Sequence, residues 1–485
     1  MRFFFFIPFC ISNLQALELG IDVLQSRNFS DLKDKKVALL TNPSALDSKG
    51  KLTLDIFLEN KVCQLKVILF PEHNGGFDDQ KLEELKKKNI SVYSTHTPTS
   101  RSPELEWFKD IDIVVSDMQE IGMRYYTYST SMLYAMIKAF EANKDFLILD
   151  RPNPLGDYIG GPVMDKKYLN FLGPIAGEPV FHGMTIAEKA NYVKNCGEDF
   201  EVKCTCGMEG CMHGVYCNGN SLKKGKLIVV KMKGWDRKKI LTQFNSYAND
   251  NSISLSPHIQ NIASIFDYAI ISLSTLMNEG FIRFLKAVEL PQMPERWFKY
   301  ISVKVPLSEM LAEIEKDHFS ALEGCTLKNI QYDNQNYLEL LVNNFANTTP
   351  ALISLLIMAQ AQKWIAECDW DSFEKATPLA EKTPPSEKTD SKKMADLSDA
   401  SKDNNVSVPE RNPEKLTQDQ QKILRKAKWD RLTRLQRDLV QKHTGDEEFI
   451  NKLLEGELID VNYFRDKWNQ SAIDFRNKTK QYYLY

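Results

Sequence analysis

The sequence has little excess charge, and this excludes one broad group of functions. Its 485 residues include 62 lysines and arginines and 65 aspartates and glutamates, giving a formal net charge of −3. A chain so close to neutral offers no electrostatic basis for binding nucleic acid or anionic lipid. The apolar fraction of 43% is ordinary for a globular protein, and the length is enough for two or three domains.

Two motifs that mark common enzyme classes are absent. No G-x-G-x-x-G follows the first predicted strand, so dinucleotide binding is not supported. The chain also lacks an H-E-x-x-H motif, which disfavours a zinc peptidase centre. We therefore expect no cofactor and no catalytic metal.

The first sixteen residues, MRFFFFIPFCISNLQA, have the layout of a secretory signal peptide. Arg2 precedes a short apolar run, and small and polar residues follow up to Ala16. The apolar run is too short to span a bilayer as a helix. We expect export to a periplasm or the cell exterior without stable membrane insertion; the alternative is a buried first strand.

One short segment, CTCGMEGCMHGVYC, concentrates side chains that form disulfides or bind metal. In an exported protein, disulfides are the usual state of clustered cysteines. The alternative is a structural zinc site, although the spacing lacks two C-x-x-C pairs. The side chains concerned are Cys204, Cys206, Cys211, His213 and Cys217.

Short β-branched runs alternate with amphipathic stretches from Leu17 to about residue 155. This alternation predicts an α/β fold, a Rossmann-like, doubly wound parallel sheet with helices on both faces. The strand runs are KVALLT, LKVILF, ISVY, IDIVVSD and DFLILD, and the helical stretches are KLTLDIFLEN, DDQKLEELKKK and STSMLYAMIKAFEAN.

We assign residues 17–184 to this Rossmann-like domain and residues 185–374 to a smaller α+β C-terminal domain with a cysteine-rich insertion at 196–217. Residues 375–415 contain mainly Lys, Glu, Ser, Pro and Asp, and such a segment cannot bury enough apolar surface to fold. We predict that this insertion is disordered and that residues 416–485 form a helical tail that docks on the globular part.

Polar side chains follow the predicted strands, where ligands bind in an open parallel sheet. The stretch LFPEHNGG, residues 69–76, places Glu72 and His73 directly after a buried strand. Because parallel strands end at one edge of the sheet, we expect the polar residues after the other strands to lie near this pair. They are Asn42, Asp117, Gln119, Arg124, Tyr126, Asp150, Arg151 and Asn153, with His182 following in FHGMT.

These residues also have structural interpretations. Asp150-Arg151-Pro-Asn-Pro has the composition of a turn. Arg124 is suited to neutralising a buried Asp117, and His182 lies just before a helix cap at Thr185. The tyrosines at 125, 126 and 128 suit packing as well as stacking on a sugar ring. The occurrence of all these residues at one sheet edge favours a site.

The residue types favour hydrolysis of a neutral or weakly acidic polar substrate. A glutamate desolvated beside Phe70 and Pro71 suits a general acid, because desolvation favours its protonated form. With Asp117 or Glu120 ionised nearby, the site would hold the two carboxylates that glycosidases use. The competing mechanism is a metal-dependent hydrolase with Glu72, His73 and Asp117 as ligands.

Four motifs in this order resemble a bacterial family: PEH, the pattern D-x-Q-x-x-G-x-R-x-Y-T-Y from Asp117 to Tyr128, DRPNP and HGMT. The family is that of the NamZ-type exo-β-N-acetylmuramidases, which release terminal N-acetylmuramic acid from peptidoglycan fragments. The resemblance runs from LELGID to about residue 280 and resumes in the tail, which ends in Y-x-L-Y. It implies muropeptide-type glycans as binding partners and Glu72 as the catalytic acid/base, and it suggests that Arg124 or Arg151 contacts the lactyl carboxylate. It also places around the sugar His73, Asp117, Gln119, Arg124, Tyr126, Asp150, Arg151, Asn153 and His182.

The chain departs from the family pattern in several places. Asn74 follows PEH where the family has glycine, Pro43 replaces a histidine, and Glu120 replaces an aspartate. In the second domain, the segment SLSTLMNEGFIRF matches the family motif only at Asn278-Glu279-Gly280, where Glu279 is the acidic residue. The alternative function is therefore a catalytically degenerate glycan-binding envelope protein on the same scaffold. Whether an active enzyme would retain or invert configuration depends on the carboxylate separation.

Overall fold

The computed structural model describes residues 17–71, 77–96, 101–196, 224–238, 349–365, 417–430 and 441–485, the strands between 285 and 342, and a few single positions. The chain divides into two compact units, one of Met1–Ile265 with Ser471–Tyr485 and one of Phe266–Gln470. The predicted signal peptide, the five metal or disulfide candidates and the insertion at 375–415 lie outside the described residues.

Six parallel strands form the main sheet of the first unit, in the order β3-β2-β1-β4-β5-β8. This sheet confirms the predicted α/β, Rossmann-like class. A separate antiparallel pair, β6-β7, lies between the fifth and sixth strands in sequence. The strands are β1 (Lys36–Thr41), β2 (Gln64–Phe70), β3 (Ser91–Ser94), β4 (Ile113–Asp117), β5 (Asp145–Leu149), β6 (Ile159–Val163), β7 (Pro179–His182) and β8 (Leu227–Val230).

Helices cover both faces of this sheet. Alternate strand residues on one face, among them Leu39, Ile68, Val115 and Leu147, form one apolar cluster with the first three helices. On the other face α4 contacts β4 and β5, and α5 contacts β8. The helices are α1 (Gly20–Ser26), α2 (Thr53–Glu59), α3 (Asp79–Lys87), α4 (Tyr128–Glu141) and α5 (Ile186–Asn195).

The first unit extends beyond the predicted domain boundary at residue 184. Strand β8 pairs with β5 in parallel, with Phe146 opposite Leu227, and α5 contacts β8. The described residues 185–196 and 224–238 therefore belong to the first unit, and the prediction that the second domain begins at residue 185 does not match this division. The short run KLIVVKM predicts a strand, but its sheet is decided by pairing between segments far apart in sequence.

The second unit contains a four-stranded antiparallel sheet, ordered β11-β12-β10-β9, and helices. Phe449, Phe464 and Trp468 pack with ring centroids 5.0–6.0 Å apart, and Trp468 Nε1 donates to Asp446, the cap of α8. Its elements are β9 (Leu285–Val288), β10 (Lys299–Ser302), β11 (Cys325–Tyr332), β12 (Gln335–Val342), α6 (Pro350–Ile365), α7 (Gln418–Asp430), α8 (Glu447–Leu454) and α9 (Val461–Thr479), whose last residues belong to the first unit.

Within the first unit, the segment from Ser471 to Tyr485 packs against residues from the N-terminal part of the chain. Phe475 and Tyr482 lie against the Tyr192 ring, with centroid distances of 6.0 and 5.4 Å. Arg476 Nη2 donates to the carbonyl of Asp157 at 2.7 Å. Within the described ranges, no helix has the length and apolar character needed to cross a membrane.

Candidate active site

The site lies where the strand order of the main sheet reverses. Strands β1 and β4 are neighbours there, and their last residues, Thr41 and Asp117, are register partners. The connections after β1 and after β4 lead to opposite edges of the sheet, which opens a crevice at the carboxyl ends of the two strands. Thr41, Asp117 and Asn42, which follows Thr41, are all buried at this position, and Asn42 Oδ1 accepts from Ser44 Oγ at 2.7 Å.

Asp117 is paired with an arginine from the next strand end. Its Oδ1 accepts from Arg151 Nε at 2.5 Å, and its Oδ2 accepts from Arg151 Nη2 at 2.9 Å and from Thr53 Oγ1 at 2.5 Å. This bidentate, charge-assisted contact is buried on both sides. The guanidinium that neutralises Asp117 is therefore that of Arg151, and the interpretation that Arg124 does so is wrong.

Arg124 instead joins the loop after β4 to the β6-β7 pair. Its Nη1 donates to the carbonyls of Pro162 and Glu178 at 3.3 and 2.8 Å, and its backbone N–H donates to Val180 at 2.7 Å. The side chain is fully buried. Both arginines considered for a substrate carboxylate are thus engaged by protein oxygens.

Asp150 is enclosed by hydrogen-bond donors. Its Oδ1 accepts from the backbone N–H groups of Arg151 at 3.0 Å and Ala187 at 3.1 Å, and its Oδ2 accepts from Thr185 Oγ1 at 2.9 Å and Tyr485 OH at 2.8 Å. Burial, reinforced by the nearby Glu188 carboxylate, raises the pKa of Asp150 to about 7, although these donors offset part of the effect. The contacts favour a structural role for Asp150.

Glu120 and His182 face each other inside the unit. His182 Nδ1 accepts from the Met184 backbone N–H at 3.2 Å, so the neutral imidazole carries its proton on Nε2. That nitrogen lies 3.6 Å from Glu120 Oε1, while Glu120 Oε2 accepts from the Gly122 backbone N–H. At 3.6 Å these two atoms are within ion-pair distance but beyond hydrogen-bond distance, and both side chains are of types that transfer protons in catalysis.

The three loops that follow β4, β5 and β7 are held to one another. Gln119 Nε2 donates to the Pro152 carbonyl at 2.8 Å, and Asn153 Nδ2 donates to the Met184 carbonyl at 3.0 Å. Gln119 Oε1 is buried and accepts no hydrogen bond from any residue that the structure describes. Such an atom is costly to bury unless something satisfies it, and a bound ligand would do so.

The structure brings together most of the predicted site residues that it describes. Hydrogen bonds connect the loops that carry five of them, namely Asp117, Gln119, Arg151, Asn153 and His182. The Tyr126 ring lies 4.6 Å from that of Tyr128 at the start of α4, and both are buried. Three predicted site residues lie outside the described residues: Glu72, His73 and Glu279. In the part of the chain that is described, no three His, Cys, Asp or Glu side chains could hold a metal ion together.

Sequence reasoning missed two contributors, Thr53 and Tyr485. Thr53 is the first residue of α2, and Tyr485 is separated from Asp150 by 335 positions. The sequence predicted a docking tail and showed the Y-x-L-Y ending of the resemblance, but neither feature indicated Asp150 as the partner of Tyr485. A single threonine at a helix start carries no signal of its own.

Two solved structures share this fold. They are DUF1343 family proteins from Bacteroides fragilis NCTC 9343, and each alignment covers 97% of this chain and 99% of the other. One has a TM-score of 0.67 at 23% sequence identity, and the other has a TM-score of 0.54 at 19%. At these identities the likeness concerns the fold alone.

Part of the first unit is similar in sequence to a known protein family. Over 230 residues the chain is 35% identical to the peptidoglycan β-N-acetylmuramidase NamZ of Bacillus subtilis strain 168. That alignment covers 46% of this chain and 49% of the relative, so the chain spans about half the length of the curated relative it matches. Residues 37–263 match the family model of the N-terminal domain of the exo-β-N-acetylmuramidase NamZ. The matched range runs from the second residue of β1 past the end of β8, so this part of the chain is similar to the NamZ N-terminal domain.

Proposed function

We propose that this protein is a glycosidase that releases terminal N-acetylmuramic acid from peptidoglycan fragments. The observation that carries the proposal is the buried Asp117–Arg151 pair at the strand-order reversal of a NamZ-type domain. A hydrogen-bonded ion pair buried at the usual ligand crevice of this fold is costly to maintain, and function is a common reason to retain it.

Glu72 is the proposed general acid. It follows Phe70 by two positions in the sequence, and Phe70 ends β2 beside β1. The end of that strand is well anchored, because the backbone N–H and the Oγ1 of Thr95 both donate to the Phe70 carbonyl, at 2.8 and 2.9 Å. Glu72 would give its proton to the glycosidic oxygen as the bond from that oxygen to the sugar carbon breaks.

Glu120 is the better candidate for the second carboxylate. Both oxygens of Asp117 already accept charge-assisted or hydroxyl hydrogen bonds. Among the described residues none donates a hydrogen bond to Glu120 Oε1, which lies 3.6 Å from His182 Nε2. Its charge would stabilise the positive charge that develops on the sugar, or would activate the water that completes hydrolysis. Asp117 then holds Arg151 in place.

The test is hydrolysis of a chromogenic N-acetylmuramic acid β-glycoside by the purified protein, with the N-acetylglucosamine analogue as the substrate control. We expect the muramic substrate to be turned over and Glu72→Gln to abolish turnover. Glu83→Gln, which removes an exposed carboxylate on α3, is the matched control and should behave as wild type. Equal turnover by wild type and Glu72→Gln would rule out Glu72 as the acid.

Absence of turnover by a folded protein that still binds peptidoglycan fragments would instead support the degenerate glycan-binding protein. We also propose that the protein is exported, on the layout of residues 1–16. Mass spectrometry of the N-terminus after expression in a bacterial host tests this, since an uncleaved, cell-retained chain would contradict it.

A further inference from the structure

We propose that Tyr485 is a positioning residue of the active site, which acts by holding Asp150 and, through it, the loops that carry Arg151 and His182. This inference rests on the proposed function for its kinetic consequences. The hydrogen bonds that carry it are independent of that function.

Tyr485 bridges the ends of two strands of the main sheet. Its hydroxyl donates to Asp150 Oδ2 at 2.8 Å, just after β5, and accepts from the Met232 backbone N–H at 2.8 Å, just after β8. These two contacts use the hydroxyl as donor and acceptor at once. A phenylalanine at this position would leave the Met232 N–H without its acceptor and Asp150 with three donors instead of four.

The segment that carries Tyr485 is itself held firmly. The Leu484 backbone N–H donates to Glu188 Oε1 at 2.8 Å, and Arg237 Nη2 donates to the same oxygen at 2.5 Å. The Arg237 guanidinium lies 4.4 Å from the centroid of the Tyr483 ring, a cation–π contact. The tail is thus anchored on α5 and on the loop after β8. These contacts fix the backbone position from which the Tyr485 side chain reaches Asp150.

Asp150 transmits this anchoring in two directions. Its Oδ1 accepts from the Arg151 backbone N–H, and the Arg151 guanidinium holds Asp117. Its Oδ2 also accepts from Thr185 Oγ1, the cap of α5, three residues after His182. Both loops therefore depend on one carboxylate, whose position Tyr485 helps to determine. Small displacements of groups around a reacting centre are known to reduce rates strongly.

The experiment compares Tyr485→Phe with Tyr482→Phe in the full-length protein. Tyr482 lies in the same tail, and its phenylalanine variant also removes one hydroxyl, which donates to the Asn195 carbonyl at 3.5 Å. We expect Tyr485→Phe to lower kcat about tenfold with KM changed less than about twofold, since substrate contacts stay in place. Tyr482→Phe should match wild type in both constants. Equal kcat losses in the two variants, or none in Tyr485→Phe, would overturn the proposal.

A second measurement does not depend on activity. The backbone amides of Arg151 and Ala187 donate hydrogen bonds to Asp150. Their hydrogen exchange should be about tenfold faster in Tyr485→Phe and unchanged in Tyr482→Phe. If the wild-type protein turns over no substrate, the proposed function fails and this measurement alone decides. Faster exchange of these amides in Tyr485→Phe alone supports the positioning role. Unchanged exchange in Tyr485→Phe overturns it.

Discussion

Arg151 and Asp117 come from adjacent strand ends of the main sheet and meet through two hydrogen bonds of 2.5 and 2.9 Å, both side chains being buried. Thr53 adds a third contact from α2. The pair connects the loop after β5 to the end of β4 at the reversal of strand order. Because the pair is buried and also fixes two loops of the candidate site, its loss should affect both the stability of the first unit and the arrangement of that site.

Removing Arg151 alone should destabilise the protein strongly. Arg151→Met leaves a buried carboxylate without its cation, which typically costs about 3–5 kcal/mol. In the double variant Asp117→Asn, Arg151→Met, the uncompensated charge is gone, and most of that loss should be recovered. Chemical denaturation of wild type, both single variants and the double variant measures the coupling. Additive effects of the two substitutions would contradict the prediction.

Asp150 should make stability fall as pH rises. Its pKa in the folded protein, about 7, is above that of an aspartate in an unfolded chain, about 3.9, so the folded state retains the proton over this window. The stabilisation from this group is complete below about pH 4 and is lost by about pH 7, a change of about 4 kcal/mol. Thermal unfolding of Asp150→Asn between pH 5 and 7 should show a flatter pH dependence than wild type. Parallel curves would contradict this assignment.

The charge of Glu120 should matter more than its length. Glu120→Gln keeps the shape but removes the negative charge 3.6 Å from His182 Nε2, and we expect kcat for the muramic substrate to fall by at least about tenfold. Glu120→Asp keeps the charge on a shorter arm and should retain more activity than the glutamine variant. Glu106→Gln, an exposed glutamate, is the control. Wild-type kinetics in Glu120→Gln would leave Glu120 without a catalytic role.

Gly122 should tolerate a side chain less well than another glycine of similar backbone conformation. Gly122 has φ +82°, and an added Cβ would lie 2.3 Å from Asn153 Oδ1. Gly177 has φ +79°, but a Cβ added there would have no atom of the described residues within 4 Å apart from its chain neighbours. Both alanine variants carry a left-handed strain of about 1–2 kcal/mol. Gly122→Ala should lose more stability, because it also displaces the Asn153 side chain that holds the Met184 carbonyl. Thermal unfolding compares them, and equal losses would contradict the prediction.

The main elements of the first unit were readable from local patterns. The runs KVALLT and DFLILD predicted β1 and β5, and the amphipathic stretch DDQKLEELKKK predicted α3, each within a residue or two. Strand runs of continuous apolar residues need two covered faces, and this requirement alone indicates a parallel sheet. The polar residues after the strands were likewise expected to meet at one edge.

The partners within the site were not readable. Two arginines, Arg124 and Arg151, lie close enough in sequence to pair with Asp117. The pairing with Arg151 depends on the course of the loops after β4 and β5, which the sequence does not specify. The same holds for Asp150, whose fourth donor comes from a tyrosine 335 positions away. Side-chain pairing is a property of positions in space, and sequence spacing does not determine it.

Local sequence patterns were enough to predict the class of fold, the sheet edge at which the polar residues follow the strands, and the residue types present there. These follow from periodicity and strand termini, which are local and are read along the chain. The tertiary structure alone decided that β8 completes the first sheet, that Arg151 neutralises Asp117, and that Tyr485 secures Asp150. Those relationships join segments far apart in sequence, and only packing and hydrogen-bond satisfaction in the folded chain select them.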